Sequence, residues 1–297
     1  MSGGPALLLR GHSFDPSPAR PLVMGIVNAS PESFSDGAHV GGLDDQVERA
    51  LRMRDEGADL IDVGGESGVT DRPAVAPEVE VARVVPLVER LTAEGVVVSV
   101  DTWKADVARA ALDAGAAMVN DVSGLRDPGV ADACAAAGAA LVVTHTRDAP
   151  KRKSFPDYGG EVLGDVVGFL RERMAAARAR GVGEEQLVLD PGPDLTKSPR
   201  DTVEVLRGLP AVAAIGRPVL LALSRKDFLG ALTGRPPGER LAGTLAAIGA
   251  GLDAGGSILR VHAVAAAVDF LAVRSVLRGD AEPPAELRLD PGLRRAV

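Results

Sequence analysis

Eight short apolar runs in this chain each close on residues able to do chemistry. The closing residues are Asn28, Gly65-Glu66, Asp101, Asn120-Asp121, His145, Asp190, Ser224-Arg225-Lys226 and Arg260-Val261-His262. Brought together, they would form a site in which carboxylates, amides and cations face one another. Arg260 and His262 stand two residues apart, so on an extended strand they point to the same side. Each ending alone has an ordinary explanation. Asp101 or Asp190 could merely cap a following helix, and a lone histidine at a strand end is more often structural. The signal is the recurrence.

The elements between these residues must position them. The apolar runs at 22–27, 60–64, 96–100, 117–119, 140–143, 187–189, 219–223 and 257–259 are nearly continuous, as in parallel strands covered on both faces. Between them the pattern predicts helices, among them one from about Leu43, one over 77–91, one over 104–114 and one over 161–180. Several helices end in glycine just before the next strand, at Gly57, Gly95, Gly115, Gly138 and Gly255. Eight strand–helix units predict an α/β fold, a single (β/α)8 TIM barrel, over residues 21–279. An N-terminal extension (1–20) precedes it and a C-terminal tail (280–297) follows. In such barrels the carboxyl ends of the strands converge on one rim and carry the active site. A doubly wound open sheet is the alternative. It places ligand chemistry at one crevice and leaves polar endings on all eight runs unexplained.

Composition narrows the class. The chain has 297 residues, 46% of them hydrophobic, which suits one large domain with a sizeable core. Its formal net charge of -8 argues against a nucleic-acid binder, which would show a basic patch. Small anionic ligands are not excluded, since local charge decides those. The single cysteine, Cys134, lies in an alanine-rich helical run and reads as a buried structural thiol. No segment approaches the ~20 apolar residues of a membrane span, so a cytoplasmic protein is expected, with no membrane partner.

The loops carry the most specific spellings. Asn28-Ala29-Ser30-Pro31-Glu32-Ser33-Phe34-Ser35-Asp36-Gly37 follows the first strand, and Asp62-Val63-Gly64-Gly65-Glu66-Ser67 ends the second. Ser99 to Thr102, Asn120 to Pro128, Asp190-Pro191-Gly192, Ser224-Arg225-Lys226 and Arg260-Val261-His262 follow in order. Together, from about residue 22 to 277, they resemble the dihydropteroate synthase family. The resemblance implies a TIM barrel that joins p-aminobenzoate to hydroxymethyl-dihydropterin pyrophosphate, releasing pyrophosphate and making dihydropteroate for folate synthesis. It implies that Asp101, Asn120 and Asp190 pair with the amino-pyrimidine edge of the pterin, and that Lys226 donates to the ring. Arg260 and His262 would grip pyrophosphate, and Asn28 would ligate Mg2+ beside phosphate oxygens and water. Ser224 would hold the aminobenzoate carboxylate and Phe34 would close over its ring. Sulfonamides mimic that substrate and would enter the same pocket. Family members are commonly homodimers packed through late helices, and the helix over 242–254 could serve that contact.

Three departures stand out. The family's second loop, Glu-Ser-Thr-Arg-Pro-Gly, is here Glu66-Ser67-Gly68-Val69-Thr70-Asp71-Arg72-Pro73, which leaves Arg72 to stand in for the missing arginine. The family's Asp-Pro-Gly-Ile-Gly-Phe-Gly-Lys is Asp190-Pro191-Gly192-Pro193-Asp194-Leu195-Thr196-Lys197, with two glycines gone and backbone freedom reduced. Met-His-Met after the fifth strand becomes Thr144-His145-Thr146. The main reading is a dihydropteroate synthase. The alternative is a paralogue that binds a pterin or related ligand without that activity. A pterin-dependent methyl transferase is a third reading, but no surface for a corrinoid partner is evident.

Overall fold

A computed structural model of the chain describes residues 5–29, 41–67, 70, 73–289 and 291–293. A short antiparallel hairpin, β1 (Leu7–Leu9) and β2 (His12–Phe14), comes first. Eight parallel strands follow: β3 (Leu22–Asn28), β4 (Leu60–Gly64), β5 (Val98–Asp101), β6 (Met118–Asp121), β7 (Ala140–Thr144), β8 (Leu187–Asp190), β9 (Leu220–Leu221) and β10 (Ile258–Val261). Their order is β8-β7-β6-β5-β4-β3-β10-β9. A parallel bridge between Leu189 and Val219 joins the two end strands, with the Leu189 N–H donating to the Pro218 carbonyl at 2.9 Å. The sheet therefore closes into the expected barrel.

The helices are α1 (Leu43–Asp55), α2 (Pro77–Ala93), α3 (Ala105–Asp113), α4 (Gly129–Ala137), α5 (Val162–Ala179), α6 (Pro199–Arg207), α7 (Leu209–Ala213), α8 (Asp227–Thr233), α9 (Leu241–Asp253) and α10 (Val264–Arg278). Their ends follow local chemistry. Ser198 caps α6 by accepting the Asp201 N–H, and Pro199 sits at the first helical position, where its missing N–H costs nothing. α4 stops at Gly138, whose φ of +64° an L side chain rarely adopts.

Strand parity sorts the side chains. Outward residues such as Val23, Ile61, Val98 and Leu141 pack with the helices in one core. Inward residues Leu22, Met24, Leu60, Met118, Val142, Val188, Leu220 and Ile258 fill the lower lumen. Leu7 and Leu9 join this second cluster, fully buried, so the hairpin plugs the amino-terminal end of the barrel. Arg217 donates to the Ala6 carbonyl at 2.7 Å and the Leu187 carbonyl at 3.2 Å, tying the plug down. The expected extension thus contains a hairpin that sequence reading placed nowhere, because three-residue strands carry no period to detect.

Carried upward, the same inward parity turns polar: Asn28, Asp62, Ser99, Asp101, Asn120, Thr144, Asp190, Ser224, Arg260 and His262. Two expected endings fall on the other parity. Asp121 faces out and accepts the N–H groups of Ser123 and Leu125 at 2.7 and 2.9 Å, shaping the turn. His145 faces α5, edge-on to Phe169. Not every ending converges on the lumen, because a one-residue offset reverses a side chain's face. No helix among the described residues is long and apolar enough to cross a membrane.

Candidate functional site

At the carboxyl end of the barrel, Asp62 is the hub. It is fully buried, and Ser99 Oγ donates to its Oδ1 at 2.6 Å. Its Oδ2 accepts from Asn120 Nδ2 at 3.0 Å and Arg260 Nε at 2.6 Å. Arg260 Nη2 reaches Asp101 Oδ2 at 2.7 Å. The guanidinium is thus held by two carboxylates from neighbouring strands, a forked geometry that an ammonium cannot copy. Burial works against its charge, but Asp62 and Asp101 outweigh burial and hold its pKa above the ordinary value.

Asp101 behaves differently. Burial pushes its pKa up to about 7, against the pull of Arg260, with Asp62 and Glu80 adding to the rise and Lys226 opposing it. Burial also raises Asp190, opposed by the Gly192 N–H, which donates to Oδ1 at 2.7 Å, and by Lys226, Lys197 and Arg260. Lys226 is the N-cap of α8 and supplies positive charge to both acids. Two oxygens in this wall, Asn120 Oδ1 and Thr144 Oγ1, are buried with no hydrogen-bond partner among the described residues. Each costs roughly 1–3 kcal/mol until a donor arrives. A ligand edge rich in N–H groups would satisfy them.

Asp101 sets a pH dependence. Its raised pKa means that it takes up a proton as pH falls through about 7. The protonated carboxyl then competes as a donor where ligand N–H groups need an acceptor. Binding of an N–H-rich ring is therefore expected to weaken from pH 8 to 5.5. Titration calorimetry checks this; affinity flat across that range would count against the Asp101 contact.

The remaining expected residues are placed as follows. Ser224 Oγ lies 2.9 Å from Nδ1 of His262 and accepts the His262 N–H at 3.3 Å, so the two residues meet at the rim between β9 and β10. Asn28 ends β3 beside Gly64, half-buried at the rim. Phe34 and Arg72 lie outside the described residues. Asp101, Asn120, Asp190, Lys226 and Arg260 come together in one lumen, with Asn28, Ser224 and His262 above them.

Sequence reasoning passed over several participants. Asp62 is the chief one; its only signal was a carboxylate at inward parity inside an apolar strand. A second group gathers on Glu66, which the sequence marked only as a strand ending: it accepts from Lys104 at 2.7 Å, Lys151 at 3.1 Å and the Val75 N–H at 3.1 Å, while Lys104 also reaches the buried Glu80 at 2.5 Å. Lys151 belongs to the loop at 147–160, so one carboxylate joins two of the long loops.

Residues 24–262 match the family described as pterin binding enzyme. The dihydropteroate synthase of Bacillus subtilis is 41% identical over 245 residues, 82% of this chain and 84% of that protein. Among solved structures, Xanthomonas albilineans dihydropteroate synthase with 4-aminobenzoic acid is 43% identical, with 93% of this chain and 98% of that chain covered and a TM-score of 0.84. Burkholderia cenocepacia dihydropteroate synthase complexed with 7,8-dihydropteroate is 40% identical, with 94% and 99% covered and a TM-score of 0.85.

Proposed function

The chain belongs to the family of pterin binding enzymes, and from that premise we propose that it is a dihydropteroate synthase. It is a transferase that condenses p-aminobenzoate with hydroxymethyl-dihydropterin pyrophosphate, giving dihydropteroate and pyrophosphate. One observation carries the reading: Asn120 Oδ1, buried and without a partner among the described residues, stands at an inward position of a lumen that also holds Asp101, Asp190, Lys226 and Arg260.

Asp101, Asn120 and Asp190 accept from the pterin's amino-pyrimidine edge, and Lys226 donates to the ring. A site built of acceptors strongly rejects rings that lack those donors. Departure of pyrophosphate breaks the methylene C–O bond and builds negative charge on the leaving group. Arg260 and His262 stabilise that charge more in the transition state than in the substrate. The aniline nitrogen then attacks the cationic methylene, a C–N bond forms, and the nitrogen loses its proton. No side-chain nucleophile is needed. Cys134, the only cysteine, is buried with its pKa pushed up by burial and by Asp121.

Ser224 holds the carboxylate of p-aminobenzoate, and sulfonamides compete for that place; inhibition not relieved by excess p-aminobenzoate would refute the overlap. For Mg2+ the Asn28 carboxamide oxygen is a hard donor at the rim among the described residues. No group of three or more His, Cys, Asp or Glu able to hold a metal occurs among the described residues. Such a donor set fits an ion held chiefly by pyrophosphate oxygens and water. Bound there, the ion would neutralise part of the leaving group's charge. The protein acts in the cytoplasm, which cell fractionation would check.

The chain is also proposed to form a homodimer, since α10 turns Val273 and Leu277 outward, 61% and 81% exposed. Light scattering at the mass of one chain would refute this. The altered segments after β7 and β8 leave Asp101, Asn120, Asp190, Lys226 and Arg260 together in the lumen, which favours the synthase over a binding-only paralogue. Release of pyrophosphate, followed by a coupled assay, tests the function. It should require both substrates; pterin binding without release would overturn the reading.

A further inference from the structure

Lys197 is the largest fully enclosed side chain among the described residues, 1% exposed, and no step above uses it. Its ammonium donates to Nδ1 of His145 at 2.7 Å, to the Gly192 carbonyl at 2.9 Å and to the Leu195 carbonyl at 3.2 Å. The His145 carbonyl stands at 3.4 Å. The other ring nitrogen of His145 is 2.8 Å from Asp165 Oδ2. Burial and the Lys197 charge push the imidazole down to about 4, so it is neutral at pH 7. Its hydrogen then sits toward Asp165 and its lone pair toward the ammonium.

Two of these acceptors, the Gly192 and Leu195 carbonyls, belong to a strained loop. Between Asp190 and Lys197 the chain passes through three left-handed residues, Gly192 (φ +65°), Asp194 (φ +62°) and Thr196 (φ +51°). Two of these, Asp194 and Thr196, carry side chains in a region that disfavours them. Other contacts help to offset this. Thr196 Oγ1 accepts the Arg147 N–H at 3.0 Å, and Tyr158 Oη donates to the Thr196 carbonyl at 2.9 Å. A β-carbon on Gly192 would collide with the His145 carbonyl, so backbone meets backbone where β7 and β8 end.

This loop touches the pterin-binding wall at two places. The Gly192 N–H holds Asp190 Oδ1. Asp194 Oδ2 accepts the Phe228 N–H at 3.1 Å, in the first turn of α8, directly after Lys226. Asp194 Oδ1 is itself held by Thr202 Oγ1 at 3.1 Å.

We propose that Lys197 is a positioning residue for the pterin half of the site: its buried ammonium gathers the carbonyls of the 192–197 loop and so sets Asp190 on one side and Lys226 on the other. The inference rests on the pterin occupying this wall. Without the ammonium, the carbonyls and the imidazole lone pair converge on one another with no donor between them. The loop then opens and both contacts to the site loosen. The clamp lies close to its own limit. Burial pushes the Lys197 pKa down to about 7; Asp190, Asp165 and Asp194 pull it up, and Lys226 pushes it down.

The test compares the two substrates. Lys197→Met is expected to raise KM for the pterin pyrophosphate by about tenfold or more while KM for p-aminobenzoate, at saturating pterin, changes little. A merely structural lysine would lower the active fraction and leave both KM values alone. Asp194→Ala severs the hold on α8, together with the Thr202 contact that steadies Asp194, and should move the pterin KM in the same direction by a smaller factor. If Lys197→Met does not fold, Asp194→Ala decides, and an unchanged pterin KM there overturns the proposal. Equilibrium pterin binding is measured in parallel. A wild type that binds pterin without turnover would sink the synthase reading and leave the Lys197 comparison intact.

Discussion

Arg260→Met is expected to lower kcat/KM by about a thousandfold or more, the scale on which a developing anion loses its preorganised partner. The reason lies in what surrounds the guanidinium. Nε binds Asp62 and Nη2 binds Asp101, at 2.6 and 2.7 Å, in a wall that also contains Asp190. Methionine fills similar volume but leaves two carboxylates facing each other without a cation. Asp101, already lifted to about 7, would rise further and hold a proton at neutral pH. In the proposed roles, Asp101 would then fail as an acceptor for the pterin and the hold on pyrophosphate would be lost. Removing one partner of a buried pair also costs roughly 3–5 kcal/mol of stability, so the urea midpoint must be read beside the kinetics. Arg260→Lys separates the effects. It keeps the charge but cannot span both acids, so stability should return further than activity. Turnover by Arg260→Met close to that of the wild type would remove Arg260 from the mechanism.

Asp62→Ala is expected to be nearly as damaging, although Asp62 need not touch either substrate. Its two oxygens receive Ser99, Asn120 and Arg260, all inside the lumen. Alanine strands three donors at once, and unpaired buried polar groups cost roughly 1–3 kcal/mol each. The amide of Asn120 is then free to turn, and its Oδ1, the proposed pterin acceptor, loses its fixed direction. Asp62→Asn is the informative companion. It keeps the size and one acceptor but removes the charge facing Arg260. Pterin affinity should fall in both variants, and thermal stability more in the alanine variant. Unchanged pterin affinity in Asp62→Ala would show that Asn120 and Arg260 do not depend on it.

Much of the barrel was legible because parallel strands buried on both faces write continuous apolar runs, and several helices stop where a glycine permits it. The start of α1 at Leu43 and of α2 at Pro77 could be read almost to the residue. β9 could not. An apolar run over 219–223 contributes a two-residue ladder, since neighbouring hydrogen bonds rather than hydrophobicity decide where pairing ends. The hairpin plug was silent for the same reason: Leu7 and Leu9 are apolar in any context, and only the open end of a barrel gives them a place.

The site divides along the same line. Asp101, Asn120, Asp190, Lys226 and Arg260 could be named from their positions at strand ends, because residue type and strand order are local properties. Two glycines missing from the loop after β8 suggested reduced freedom there. Yet Asp194 and Thr196 adopt left-handed backbone, held by Thr202, Phe228, Arg147 and Tyr158. The barrel and the order of its polar endings follow from residue pattern alone, and the roles of those endings from the family resemblance. Only tertiary structure decided that Asp62 would tie Ser99, Asn120 and Arg260 together, that His145 would turn outward, and that Lys197 would be sealed beneath Asp190. Those pairings depend on register and strand parity across the closed sheet, and a register shift of one residue reverses them without altering any local pattern.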